Sequence, residues 1–212
     1  MTTAGALWSF ALVVGLLTLT PGLDTALILR AAALRRPRHA WGVVTGIQTG
    51  TLIWGVLTAL GITAIVTASV VAYEVLRWAG VVYLGWIGLR MLWASGRSAV
   101  PGSGADGARG ATDGFAAGWR RGAATNLLNP KMGAFYIALL PQFIPDGASP
   151  LVFGVLLAGV HIALGLAWST VLVLSARRFR RVLQRPAARR TMDRVAGTVI
   201  VGFGVKLAAT AR

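Results

Sequence analysis

The chain contains no cysteine, which excludes disulfides and thiolate metal sites and leaves the redox compartment unmarked. It is poor in acid: six Asp and Glu stand against 21 Lys and Arg, for a formal net charge of +15. Charge of either sign is scarce, at 13% of residues, whereas an ordinary soluble domain carries about 25%. Two stretches, Ala40 to Val66 and Leu151 to Ala176, contain no Asp, Glu, Lys or Arg, and each exceeds the roughly 20 residues that cross a bilayer. The first twenty residues also lack Lys and Arg. They therefore lack the positive start of a cleaved signal peptide and read as the beginning of a permanent helix.

What is present agrees with a polytopic membrane protein: 56% of residues are hydrophobic and the mean hydropathy is +0.69. The basic residues sit in short clusters between apolar spans rather than over a soluble face, so nucleic acid is not expected as a partner. Six spans fit, at about 5 to 30, 40 to 66, 71 to 94, 115 to 143, 151 to 176 and 192 to 210. The expected fold is an all-α membrane protein of six transmembrane helices. Residues 1–95 form a first three-helix repeat, the Gly/Ser/Ala-rich stretch 96–113 a flexible cytoplasmic linker, and 114–212 a second repeat.

All of the 21 Lys and Arg except Arg77, Lys131, Lys206 and Arg212 fall in or beside the loops after spans one, three and five. By the positive-inside rule those loops are cytoplasmic, and both termini lie outside. Arg77-Trp-Ala-Gly80 followed by Gly85 matches Arg194-Val-Ala-Gly197 followed by Gly202. The copies lie three spans apart and must run in opposite directions, which predicts a 3+3 inverted repeat.

Two prolines mark where the chemistry is expected. Pro21 and Gly22 interrupt the first span, Pro130 interrupts the fourth, and one charge follows each break, Asp24 or Lys131. A proline inside a helix removes a backbone donor, and in lipid the groups it frees must find protein, water or a ligand. Broken helices at corresponding places in two halves are a sequence pointer to a transporter's binding site. One reading of Asp24 and Lys131 is a structural ion pair locking the broken helices. The other is a site in which Asp24 attracts an ammonium or a proton, while Lys131 and free amides near Pro130 attract a carboxylate.

Asn126 and Asn129 are candidates to bind a ligand or to cap the second break. Gln48 faces either the cavity or a neighbouring helix, and His161 is either a coupling residue or a packed hydrogen-bonding group. Gly42, Gly46 and Gly50 form a small-residue stripe for close helix packing, a role also expected of Gly80, Gly85, Gly197 and Gly202; such stripes permit a homodimer. Trp54, Trp86 and Trp168 lie deep in their spans and read as core.

Pro21-Gly-Leu-Asp24, the glycine-striped second span, Asn129-Pro-Lys131 and Pro141-Gln-Phe143 together resemble the LysE/RhtB family of amino-acid exporters. The resemblance runs from the first span to the sixth. It implies a multi-pass carrier of the bacterial inner membrane that expels amino acids or close derivatives, driven by the proton gradient. The partners it implies are a small zwitterion, protons and the bilayer, and it implies neither cofactor nor resident metal. The family's Pro-Gly-Pro is Pro-Gly-Leu here, and loss of the second proline softens the expected break at Leu23. The alternatives are a cation or metal exporter of the same architecture, poorly supplied with ligands by two His and no Cys, and a membrane-embedded enzyme. The enzyme lacks a paired-Asp, Ser/His or His-rich set within the spans.

Overall fold

The structure is a computed structural model and describes residues 2–33, 37–68 and 114–176, together with single helical positions between 71 and 93 and between 187 and 205. Most of spans three and six, the linker 96–113, Gly80 and Gly197 lie outside the described residues. Among the described residues every regular element is helical. In chain order they are α1 (Thr3–Leu19), α2 (Leu23–Ala33), α3 (Pro37–Ala68), α4 (Phe115–Leu127), α5 (Pro130–Leu139), a 3-10 turn (Leu140–Phe143) and α6 (Pro150–Leu174). Pro37–Gly61 and Pro150–Leu174 are each long and apolar enough to cross a membrane, and α1 with α2 makes a third span if the bent pair counts as one.

Prolines set most of the boundaries. Pro130 and Pro150 stand in the first turns of α5 and α6, and Pro37 opens α3, positions where a missing N–H costs no helical bond. Thr2 caps α1 by accepting from the Gly5 N–H at 3.2 Å. Helix α1 stops at Leu19 and α2 resumes at Leu23, with a bend of 56° between them. With leucine at position 23 the break is therefore still sharp.

Glycines decide how the helices meet. A Cβ on Gly42 or Gly46 would strike the α4 backbone at Phe115 and Trp119, and one on Gly118 or Gly122 would strike the α3 backbone at His39 and Val43. The two helices thus run parallel, backbone against backbone, from residue 42 against 115 to Gly50 against Asn126. The stripe that would permit a dimer is covered by α4 of the same chain. Helix α6 runs the other way, with Gly154 against Ala59, Ala158 against Gly55 and Gly165 against Gln48. At Gly85 and Gly202 no described atom lies where a Cβ would reach, so the close packing expected there finds no neighbour among the described residues.

Two apolar cores result. One joins Phe10, Val14 and Leu17 of α1 to Phe135, Tyr136 and Leu139 of α5 and Leu157 of α6, with Phe10 edge-on to Phe143 at 5.2 Å. The other joins Ile28 and Ala31 of α2 to Ala40, Val43 and Ile47 of α3 and Leu172 of α6. The beginnings of α3 and α4 and the finish of α6 share this second end of the molecule. Arg38, Arg120 and Arg121 stand near it, and the Arg177–Arg194 stretch follows directly from it in sequence. Trp86, expected in the core, is 53% exposed.

Candidate functional site

The site lies between the two cores, where both helix breaks meet. In an unbroken helix the Leu17 carbonyl would accept from residue 21, but Pro21 has no N–H to give. The Lys131 ammonium takes its place, donating from Nζ to Leu17 O at 3.0 Å and to Thr20 O at 3.2 Å. A cation at a helix C-terminus also suits the partial negative charge that gathers there. A charge from the second break thus caps the first.

At the second break the same rule applies. Pro130 cannot serve the carbonyl of Asn126, which accepts instead from the Asn129 N–H at 3.1 Å and from Trp54 Nε1 at 3.4 Å. Asn129 caps α5: its Oδ1 accepts from the Lys131 N–H at 3.1 Å, while Met132 and Gly133 donate to its carbonyl. The amides after Pro130, expected to be free for a carboxylate, are therefore already bonded within the chain. Trp54, read as core, is a polar contact of this break.

Asp24 opens α2, where a carboxylate favours the helix dipole. Its Oδ2 accepts from Asn126 Nδ2 at 2.8 Å and its Oδ1 from Asn129 Nδ2 at 3.4 Å. The two asparagines thus do both jobs considered for them, serving the break and the acid. Asn126 is fully buried, and its remaining Oδ1 has no hydrogen-bond partner among the described residues and lies against Gly50.

Around these groups the protein leaves about 60 Å³ open to the centre of a water molecule. That exceeds the roughly 10–15 Å³ a cavity needs to hold one water, so the site has room for a small polar guest. Asp24, Lys131, Asn126, Asn129, Gln48, His161 and Gly22 all line it. Every polar residue singled out in the sequence as a site candidate therefore converges on one cavity. Gln48 rests its amide over Gly165 of α6, and His161 engages the Tyr136 hydroxyl through Nδ1 at 3.0 Å, the two rings stacked at 5.8 Å.

Thr25, Thr51, Trp168 and Ser169 are also in the wall and were not singled out for it. A signal for the last two existed: positions 161, 165, 168 and 169 recur at helical spacing and share one face of α6. Thr45 and Thr49 lie outside this wall, and each returns its hydroxyl to the α3 backbone one turn back.

A family model described as "LysE type translocator" matches residues 15–211. The chain belongs to the LysE-type translocator family. This translocator is 30% identical to a homoserine/homoserine lactone efflux protein of Salmonella typhi, over 95% of its own length and 96% of the relative's. It is 27% identical to a threonine efflux protein of Escherichia coli, covering 89% and 90% of the two chains. With a leucine efflux protein of Klebsiella pneumoniae it shares 26% identity, over 90% and 88%. No solved structure matches it. The family is one of translocators and efflux proteins rather than enzymes.

Proposed function

We propose that this translocator exports small amino acids or close derivatives across the bacterial inner membrane, driven by the proton gradient. One observation carries the reading: a single acid and a single base, brought by two broken helices, line one cavity between two apolar cores. Such a cavity offers a zwitterion one partner for each of its charges. The Asp24 carboxylate accepts either an ammonium or a proton, so competition at one group links outward movement of substrate to inward movement of protons. The efflux proteins named above, for homoserine, threonine and leucine, support a reading in which the substrate is a small neutral amino acid.

The carrier has six spans in two inverted halves, 1–95 and 114–212, which rock about the cavity to open it to either side. Support comes from the parallel course of α3 and α4: in an inverted 3+3 chain the second and fourth spans cross in the same direction. Both termini lie outside. The test is efflux of amino acids from dipeptide-loaded cells, with and without a proton gradient. Export is expected to collapse when the gradient is abolished, and to fall to background in Asp24→Asn and in Lys131→Ala while both proteins remain in the membrane. Unchanged efflux in both variants would remove the site from this account.

A further inference from the structure

Lys131 does more than supply positive charge near Asp24. Its ammonium closes a gap that Pro21 opens, on the two carbonyls at the end of a 17-residue helix. Leu17, Thr20 and Lys131 all line the cavity, and a guest's own amine presents the same three N–H donors as the lysine's. We infer that Leu17 O and Thr20 O form a subsite for a primary ammonium group, filled by the tethered ammonium of Lys131 between transport events and by the guest's amine during them.

Charge and hydrogen bonding balance in both states. With Lys131 in place, the subsite holds one cation and neither of its two carbonyls is left bare at membrane depth. When the guest's ammonium takes the carbonyls, Lys131 is released into the same small cavity, where the guest's carboxylate replaces the two acceptors it has lost. Room for the exchange lies at Gly22. A Cβ there would meet only the end of the lysine, at 4.0 Å from both Cδ and Nζ. Asp24 keeps its two asparagine donors, and its carboxylate accepts the third N–H of the guest's amine, the contact at which a proton competes with the guest. The carrier can thus reset without a guest, its own side chain standing in for one.

The inference rests on the export reading for the identity of the guest, but its test does not use transport. In the purified full-length chain, Lys131→Met empties the subsite and is expected to lower the unfolding midpoint. Excess ethylammonium should raise the variant's midpoint by about 3 °C or more, while tetramethylammonium, which has no N–H, should not, and wild type should respond to neither. No shift with ethylammonium, or the same shift in wild type, would overturn the subsite.

Lys131→Cys gives a second route if the methionine variant cannot be recovered, because it creates the chain's one thiol. Alkylation with 2-bromoethylamine rebuilds an ammonium at lysine's length and should restore the midpoint; iodoacetamide, which leaves a neutral group, should not. Equal effects of the two reagents would again overturn the proposal. Failure of amino-acid export would leave these stability shifts standing, and intact export without them would remove the subsite alone.

Discussion

A single glycine hydrogen, at Gly50, determines where the amide of Asn126 can stand. The unpartnered Oδ1 of that amide lies so close that a Cβ on residue 50 would come within 2.6 Å of it. At most a weak Cα–H contact compensates the oxygen. The other end of the amide holds Asp24 at 2.8 Å. Gly50→Ala must therefore shift Asn126 and loosen its hold on the acid. The expected loss is about 1–3 kcal/mol of stability, typical of overpacking, together with most of the efflux. Gly159→Ala, on open surface of α6 with nothing within 4 Å, is the control and should be neutral within about 0.5 kcal/mol or slightly stabilising. Thermal unfolding and efflux of the two variants check this, and equal behaviour would refute it. Asp24, Lys131 and the asparagines were legible because a charge or an amide beside a proline has few bland uses in lipid. Thr51 and Ser169 were not, since hydroxyls in membrane helices usually return to their own backbone, as Thr45 and Thr49 do.

At the scale of the element, each break follows from subtraction. Pro21 and Pro130 each withhold one N–H, and the carbonyls left over, on Leu17 and Asn126, become attachment points for groups from other helices. Pro21→Ala would return the missing donor to Leu17 and let α1 run on toward α2. Pro21 stands between the two helices rather than inside one, so the variant gains at most one backbone hydrogen bond, about 1 kcal/mol, and is expected to keep roughly wild-type stability. It should nonetheless lose most of its efflux, because Lys131 then shares an acceptor with the backbone. Hydrogen exchange at residue 21 and efflux from loaded cells read the two halves of this expectation. Full efflux from a straightened helix would show that the break is dispensable. The positions of the breaks were legible from the prolines alone, and the extra turn of α3 back to Pro37 was not. A proline there reads as loop until it is seen to sit where its missing N–H costs nothing. That the amides after Pro130 are taken was also beyond the sequence, since it depends on which way Asn129 turns its side chain.

For the whole molecule, the division into two cores was hidden from the sequence. Helix α1 is almost uniformly apolar, so no periodicity says which of its sides turns inward. The sidedness of charge was legible, because counting Lys and Arg needs no contacts. The fold adds a reason to use it: the parallel pair α3 and α4 and the antiparallel α6 bring Arg38, Arg120 and Arg121 to the same end as the last turn of α6, which the Arg177–Arg194 stretch follows in sequence. Positive charge is retained on the cytoplasmic side, so that end should face inward and Thr3, at the far end of α1, outward. The absence of cysteine makes the point testable with single thiols. Thr3→Cys, at an exposed position, is expected to react with a membrane-impermeant maleimide in intact spheroplasts, and the exposed Arg38→Cys only after lysis. The opposite pattern would turn the carrier over in the membrane. The cavity and both breaks would survive that reversal unchanged, because they sit between the cores and belong to neither face. The direction of export would then have to come from the proton gradient alone, with no contribution from which end of the molecule meets the cytoplasm.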